Sequence, residues 1–383
     1  MSAETMSSDG PLALVLSGGG ARAAYQVGAL RAIAELFPEL EIPILTGVSA
    51  GAINTVYLAA HPGPLADAVR GLEVEWGGLT PNRVYQVRPL NLGRSMVRWV
   101  LDMVLRRQKG PPAVRGLMDL DPLRRFLLRC VSFGGIQRNI EAGRLRAVAL
   151  SATCYDTGQT VTFLEGHETV PTWQRHMRVA VRTRIAPEHL LASAAIPIVF
   201  PAIRIGRGYY GDGSVRQTAP LAPAIHLGAR RIIAVAMRGG DDRSVPPEDS
   251  GAVGRDYPVA AEVFGMLLHS VFLDTLDADA ERLEIVNELL AACTREEPPT
   301  VLRPVDLLLL RPSRDLGALA RGHQMELPRL VQLLVSSVGG ERARSPDFLS
   351  YLMFQPGYAR LLMELGYEDT RGRAGEIEGF LGS

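Results

Sequence analysis

Three short stretches of this chain hold residue types that could do chemistry together. In Gly47-Val48-Ser49-Ala50-Gly51 a serine stands between two glycines at G-x-S-x-G spacing. Such spacing suits a tight strand-to-helix turn that leaves the hydroxyl exposed, because the glycines relieve backbone crowding on either side. In Ser17-Gly18-Gly19-Gly20 consecutive glycines let backbone N–H groups converge at the positive end of a following helix, where an oxyanion can be held. In Gly211-Asp212-Gly213-Ser214 a carboxylate flanked by glycines can approach another loop closely. A nucleophile, an anion cradle and a base are the parts of acyl transfer.

Two of these stretches have competing readings. Gly47 to Gly51 also fits an ordinary tight turn. Gly18-x-Gly20-x-x-Ala23 also satisfies the dinucleotide-binding fingerprint, but that use expects an acidic residue about 20 positions on, at the end of the second strand. Here that strand ends in Thr46-Gly47. The base has two candidates. His226 would give the order Ser, Asp, His found in α/β hydrolases, yet several strands precede the nucleophile there and only one does here. His226 also reads as a helix residue ahead of a capping Gly228. No motif surrounds His61, His167, His176, His189, His269 or His323.

The elements that must position these residues follow from periodicity. Leu12 to Leu16 is a short apolar strand, and Tyr25, Val27, Leu30, Ile33 and Leu36 continue as a helix. Ile44 and Leu45 lead into the Ser49 turn and a small-residue helix to Ala60. Two strand-to-helix turns about 30 residues apart predict parallel βαβ units. Further strands are expected at Leu145–Ala152, Thr160–Leu164, Ile203–Tyr210, Arg231–Ala236 and Asp306–Leu310. The acidic, Pro- and Gly-rich stretch from Gly239 to Pro258 predicts a mobile loop before a helix starting near Val259. Helices are expected at Gln324–Val338 and Asp347–Leu365. This divides the chain into a catalytic domain over 10–312 and a C-terminal helical extension over 313–383.

Composition bounds the function classes. Lysine plus arginine equals aspartate plus glutamate at 41 each, so no net field draws the chain to nucleic acid. Apolar residues at 47% allow a large core and exclude wholesale disorder. Cys130, Cys154 and Cys293 show no C-x-x-C spacing, the first ten residues lack a secretory pattern, and no apolar run could span a bilayer. A cytoplasmic protein is expected, at most peripheral to a membrane. No metal motif is present in the sequence.

Taken together, four blocks in order resemble the patatin-like phospholipase family. Ser17 to Arg22 looks like its glycine-rich oxyanion block, and Gly47 to Gly51 like its nucleophile turn. Ala192-Ser193-Ala194-Ala195-Ile196-Pro197 with Phe200-Pro201 is similar to its Ala-Ser, Pro, Phe-Pro block, and Asp212-Gly213 to its Asp-Gly block. The resemblance covers about residues 10–240. It implies a three-layer α/β/α fold with a mainly parallel sheet, and a Ser49–Asp212 dyad without histidine. It implies an oxyanion hole at Gly18, Gly19 and Gly20, no cofactor, and a lipid ester substrate of the phospholipid or lysophospholipid kind. An acyltransferase with the same dyad and a lipid-binding module are the alternatives. Ala23-Ala24 stand after Arg22 where the family commonly has glycine, and Ser214 replaces its frequent Gly or Ala after Asp-Gly, which touches helix packing and pocket shape rather than the chemistry. The Pro197 block is expected to shape the fold and pocket wall.

Two other stretches could contact ligands. Arg175, Arg178, Arg182 and Arg184 suit either a solvated edge or an anionic headgroup site. Met96 to Leu105 is apolar nearly all round with basic flanks, which fits a core helix or one lying in a membrane interface.

Overall fold

The computed structural model describes residues 10–87, 116, 118–239, 274–292, 302–320 and 350–382. Met96 to Leu105, nearly all of the acidic loop, the start of the helix near Val259 and Gln324–Val338 lie outside the described residues.

Five strands form the parallel part of the sheet: β1 (Leu12–Leu16), β2 (Ile44–Val48), β5 (Ala147–Cys154), β11 (Arg231–Val235) and β12 (Asp306–Leu310). They run parallel in the order β12-β11-β1-β2-β5. Beyond β5 lie β6 (Thr160–Gly166), antiparallel to it, then β8 (Arg178–Arg182) and β7 (Gln174–Arg175) at the edge. A short pair, β3 (Gln86–Val87) and β4 (Met118–Asp119), stands apart.

The sheet is covered on both faces, which is why its central strands read as apolar runs rather than alternating ones. Leu12, Leu14 and Leu16 of β1 face a core shared with α1 (Ala24–Leu36), α2 (Ala50–Ala60) and α3 (Leu65–Gly77). Ala13 and Val15 point the other way, toward Leu221, Ala224, Leu276 and Leu283 on the opposite helical layer. This is the three-layer α/β/α arrangement with a mainly parallel sheet.

Two expected elements differ. The run Ile203–Tyr210 is a hairpin of β9 (Ile203–Ile205) and β10 (Gly208–Asp212), because Gly206 at φ 59 turns the chain. Returning along β9, β10 extends to Asp212 and pairs antiparallel with Ala152–Cys154 of β5. The run Asp347–Leu365 is likewise not one helix. Residues 353–355 leave helical geometry before the helix Pro356–Arg371, since a proline disfavours that geometry in the residue ahead of it. This helix lies on α1 with backbones close together: Gly28 faces the Met363 backbone and Gly366 faces that of Tyr25.

Candidate active site

The parallel strands β1 and β2 end side by side, with Leu16 level with Gly47, so the glycine loop and the serine turn open at the same edge of the sheet. Ser49 is the residue between β2 and α2, at φ 55 and ψ −130. Positive φ is costly for a residue with a side chain, about 1–3 kcal/mol, and persists only where the surroundings enforce it. They do so here. The Ser49 N–H donates to Ser193 Oγ at 3.0 Å, and the Ala52 N–H donates to the Ser49 carbonyl at 3.0 Å. Gly47, Gly51 and Gly213 sit where a Cβ would collide with neighbouring backbone, so glycine at each keeps the turns in contact.

Asp212 reaches the same point from β10. The Ser49 hydroxyl donates to Asp212 Oδ2 at 2.6 Å. The other carboxylate oxygen accepts the Ser214 N–H at 2.9 Å, which fixes the plane of the group. The backbone of Asp212 is held as well: its N–H donates to the Ala195 carbonyl at 2.9 Å and its carbonyl accepts the Thr153 hydroxyl at 2.8 Å. Asp212 is fully buried and Ser49 is 2% exposed. Burial pushes the Asp212 carboxyl up to about 7, against the hydrogen bonds from Ser49 and Ser214, which pull it down. The group can therefore hold or release a proton near neutral pH, unlike an ordinary aspartate.

The glycine loop lies directly against this pair. A Cβ on Gly18 would come within 3.0 Å of Ser49 Cβ and 2.7 Å of Ser214 Oγ. Gly20 has φ 56 and faces the Tyr351 carbonyl, so no other residue fits there. Behind the loop a chain of buried amides fixes its course. Gln26 Nε2 donates to the Ser17 carbonyl at 2.8 Å, Asn54 Nδ2 donates to Gln26 Oε1 at 2.9 Å, and Trp76 Nε1 donates to Asn54 Oδ1 at 2.8 Å. Ser17 itself donates to the Val235 carbonyl on β11 at 2.8 Å. Arg22, 1% exposed, turns from the loop toward the C-terminal segment: its Nε donates to Ser350 Oγ at 2.6 Å and its guanidinium lies 4.7 Å from the centre of the Tyr351 ring.

An apolar crevice opens from Ser49 and Gly20. Its walls come from α2, α3, the helix Asp121–Cys130, the Ala194 to Phe200 stretch and the segment from Tyr351 to Phe354. Its apolar lining suits an alkyl chain.

The structure thus brings Ser49, Asp212 and Gly18 to Gly20 together and leaves His226 elsewhere. His226 ends the helix Ala222–His226 and stacks on Trp173 at 4.8 Å. The arginine stretch lies on the edge strands, where Arg182 is tied to the carbonyls of Gly166, His167 and Val170. Sequence reading missed Ser193, whose hydroxyl also donates to the Ser151 carbonyl at 2.7 Å. The signal was present in the Ala192-Ser193 block, without an obvious task for the hydroxyl. It also missed the wall made by Tyr351 to Phe354, which no motif marks. Among the described residues no group of His, Cys, Asp and Glu is placed to hold a metal ion, and no helix is long and apolar enough to cross a membrane.

The patatin-like phospholipase family model matches residues 14–225, and the chain belongs to that family. No curated protein sequence matches the chain. Among solved structures, human GIVD cytosolic phospholipase A2 in complex with methyl γ-linolenyl fluorophosphonate is similar at 13% identity and a TM-score of 0.44, over 97% of this chain and 58% of that one. VipD from Legionella pneumophila is similar at 12% identity and a TM-score of 0.35, over 96% and 67%. The type III effector ExoU is similar at 15% identity and a TM-score of 0.34, over 96% and 53%. The chain spans about half to two thirds of the length of these proteins.

Proposed function

We propose that this chain is a serine acyl hydrolase of lipid esters, of the phospholipase A, lysophospholipase or lipid esterase type, working through a Ser49–Asp212 dyad. The single observation that carries the reading is the 2.6 Å hydrogen bond from the buried Ser49 hydroxyl to Asp212, with no histidine between them. As Ser49 Oγ bonds to the ester carbonyl carbon, its proton passes to Asp212 Oδ2. The carbonyl oxygen becomes an oxyanion beside Gly18 to Gly20, whose N–H groups hold it; each such donor contributes roughly 3 kcal/mol to the transition state. The C–O bond to the alcohol then breaks, and the alcohol leaves with the proton from Asp212. Water attacks the acyl-Ser49, gives its proton to Asp212, and Ser49 regains that proton as the fatty acid departs.

Desolvation supports aspartate as the base. A carboxylate at its usual pKa of about 3.9 is too weak to compete for a serine proton, and a buried one is closer to the required strength. The apolar crevice offers a place for an acyl chain, and its family membership points to lipid. The reading puts the enzyme in the cytoplasm, at most peripheral to a membrane. The test is a fluorophosphonate label with peptide mapping, followed by a panel of phospholipids, lysophospholipids and simple esters. Ser49 is expected to carry the label, and at least one lipid ester to be cleaved; a label on another residue, or none, overturns the reading.

A further inference from the structure

We propose that the crevice behind Ser49 measures acyl length, favouring chains of medium length and stopping longer ones at a polar end made by Tyr57, Glu75 and Cys130. This rests on the acyl-hydrolase reading above. Ala50, Ile53 and Tyr57 all line the crevice and share one face of α2, the helix that starts at the nucleophile. From Ala50 to Tyr57 the helix advances roughly 10 Å at 1.5 Å per residue, so Tyr57 marks a point well away from the reacting carbonyl. Between the two the lining is apolar, with Ile53 midway.

At the Tyr57 level the chemistry changes. Glu75 of α3 and Cys130 at the end of its helix both line the crevice there, and all three side chains are partly exposed. The Tyr57 hydroxyl lies against Gly71 of α3, one turn ahead of Glu75, where a Cβ would collide with it; in keeping with that, the Glu75 charge, second to burial, pushes up both the Tyr57 phenol and the Cys130 thiol, the latter to about 12. An alkyl chain that stays short of this level gains burial with every methylene, about fourfold in binding for each. One that reaches it must displace water from a carboxylate and a phenol without replacing their hydrogen bonds, which outweighs the gain.

The experiment is a ladder of p-nitrophenyl esters, from butyryl through octanoyl and decanoyl to palmitoyl, given to the full-length protein and to Ile53→Trp and Glu75→Leu. For the wild type, kcat/KM is expected to peak at octanoyl or decanoyl, about tenfold or more above both butyryl and palmitoyl. Ile53→Trp blocks the midpoint and lowers the octanoyl-to-butyryl ratio by about tenfold, while Glu75→Leu raises the palmitoyl-to-decanoyl ratio severalfold. If Ile53→Trp does not fold, Ile53→Ala removes the same contact and lowers the first ratio to a smaller extent. A wild-type rate that climbs steadily to palmitoyl, or unchanged ratios in the variants, overturns the ruler while leaving the hydrolase intact. Failure of the wild type to cleave any ester overturns the hydrolase reading itself.

Discussion

The hydroxyl of Ser193 links the serine turn to strand β5: it accepts the Ser49 N–H at 3.0 Å and donates to the Ser151 carbonyl at 2.7 Å, with no exposure to solvent. It therefore ties the strained nucleophile residue to β5, the strand that also pairs with β10 and so positions Asp212. The proton donor and acceptor are thus referenced to one rigid element, Ser49 through the Ser193 oxygen and Asp212 through the β10–β5 pairing.

Removing that oxygen leaves a buried N–H and a buried carbonyl unpaired, at a cost of about 1–3 kcal/mol. Ser193→Ala is expected to lower kcat by roughly tenfold to a hundredfold with little change in KM, because the substrate crevice is untouched and only the aim of Ser49 loosens. Steady-state kinetics on a soluble ester separates the two. A rise in KM at constant kcat would assign Ser193 to substrate binding instead.

The dyad itself makes a second prediction. Ser49→Ala and Asp212→Asn should each reduce ester hydrolysis by about a thousandfold or more, with far-UV circular dichroism unchanged, since the two side chains act as one unit. His226→Ala should keep most of its activity, because His226 packs on Trp173 rather than on Ser49 or Asp212. A loss in His226→Ala comparable to that in Ser49→Ala would replace the dyad with a triad.

The parts legible in sequence were those that a local rule dictates. Leu12–Leu16 and Asp306–Leu310 were readable to the residue because buried parallel strands are short apolar runs between turn signals. Ser49 and the glycine loop were readable because close backbone approach restricts the residue type. The hairpin at Gly206 was not separated from its flanks, since Gly206 and Gly208 inside a β-rich run fit a bulge as well as a turn. Nothing local marks the buried line from Ser17 through Gln26 and Asn54 to Trp76. Nor does anything local show that Tyr351 to Phe354 returns to wall the crevice. Those are contacts between distant segments, and only the fold brings them together.

Gly18 supplies a third prediction. Alanine there would bring its Cβ to 3.0 Å from Ser49 Cβ and 2.7 Å from Ser214 Oγ, so the Ser214 hydroxyl must rotate and the loop and the nucleophile must shift apart by a few tenths of an ångström. Gly18→Ala should therefore depress kcat more than it weakens binding, because the N–H groups of the loop matter most when the oxyanion forms. Comparing the inhibition constant of an unreactive substrate analogue with kcat decides it. Weakened analogue binding at unchanged kcat would remove the loop from transition-state stabilisation.

The pH dependence follows from Asp212, whose burial raises its pKa to about 7. As the base it must be ionised, so kcat/KM should fall about tenfold per unit as pH drops below that value. Stability runs the opposite way. A carboxyl whose folded pKa is raised above its unfolded value binds its proton more tightly when folded, so its contribution is fully present below the unfolded pKa of about 3.9. That contribution is lost as pH rises through the folded pKa, when the buried group must ionise. Asp212→Asn cannot ionise and keeps a similar shape. It is expected to melt at a higher temperature than the wild type at pH 8, with the gap closing steadily toward pH 5. Thermal melts of both proteins across that range, followed by circular dichroism, measure the gap. A wild type as stable as Asp212→Asn at pH 8 would mean that the carboxylate is not strained by its burial, and the acidic limb of the activity profile should then lie near pH 4 instead.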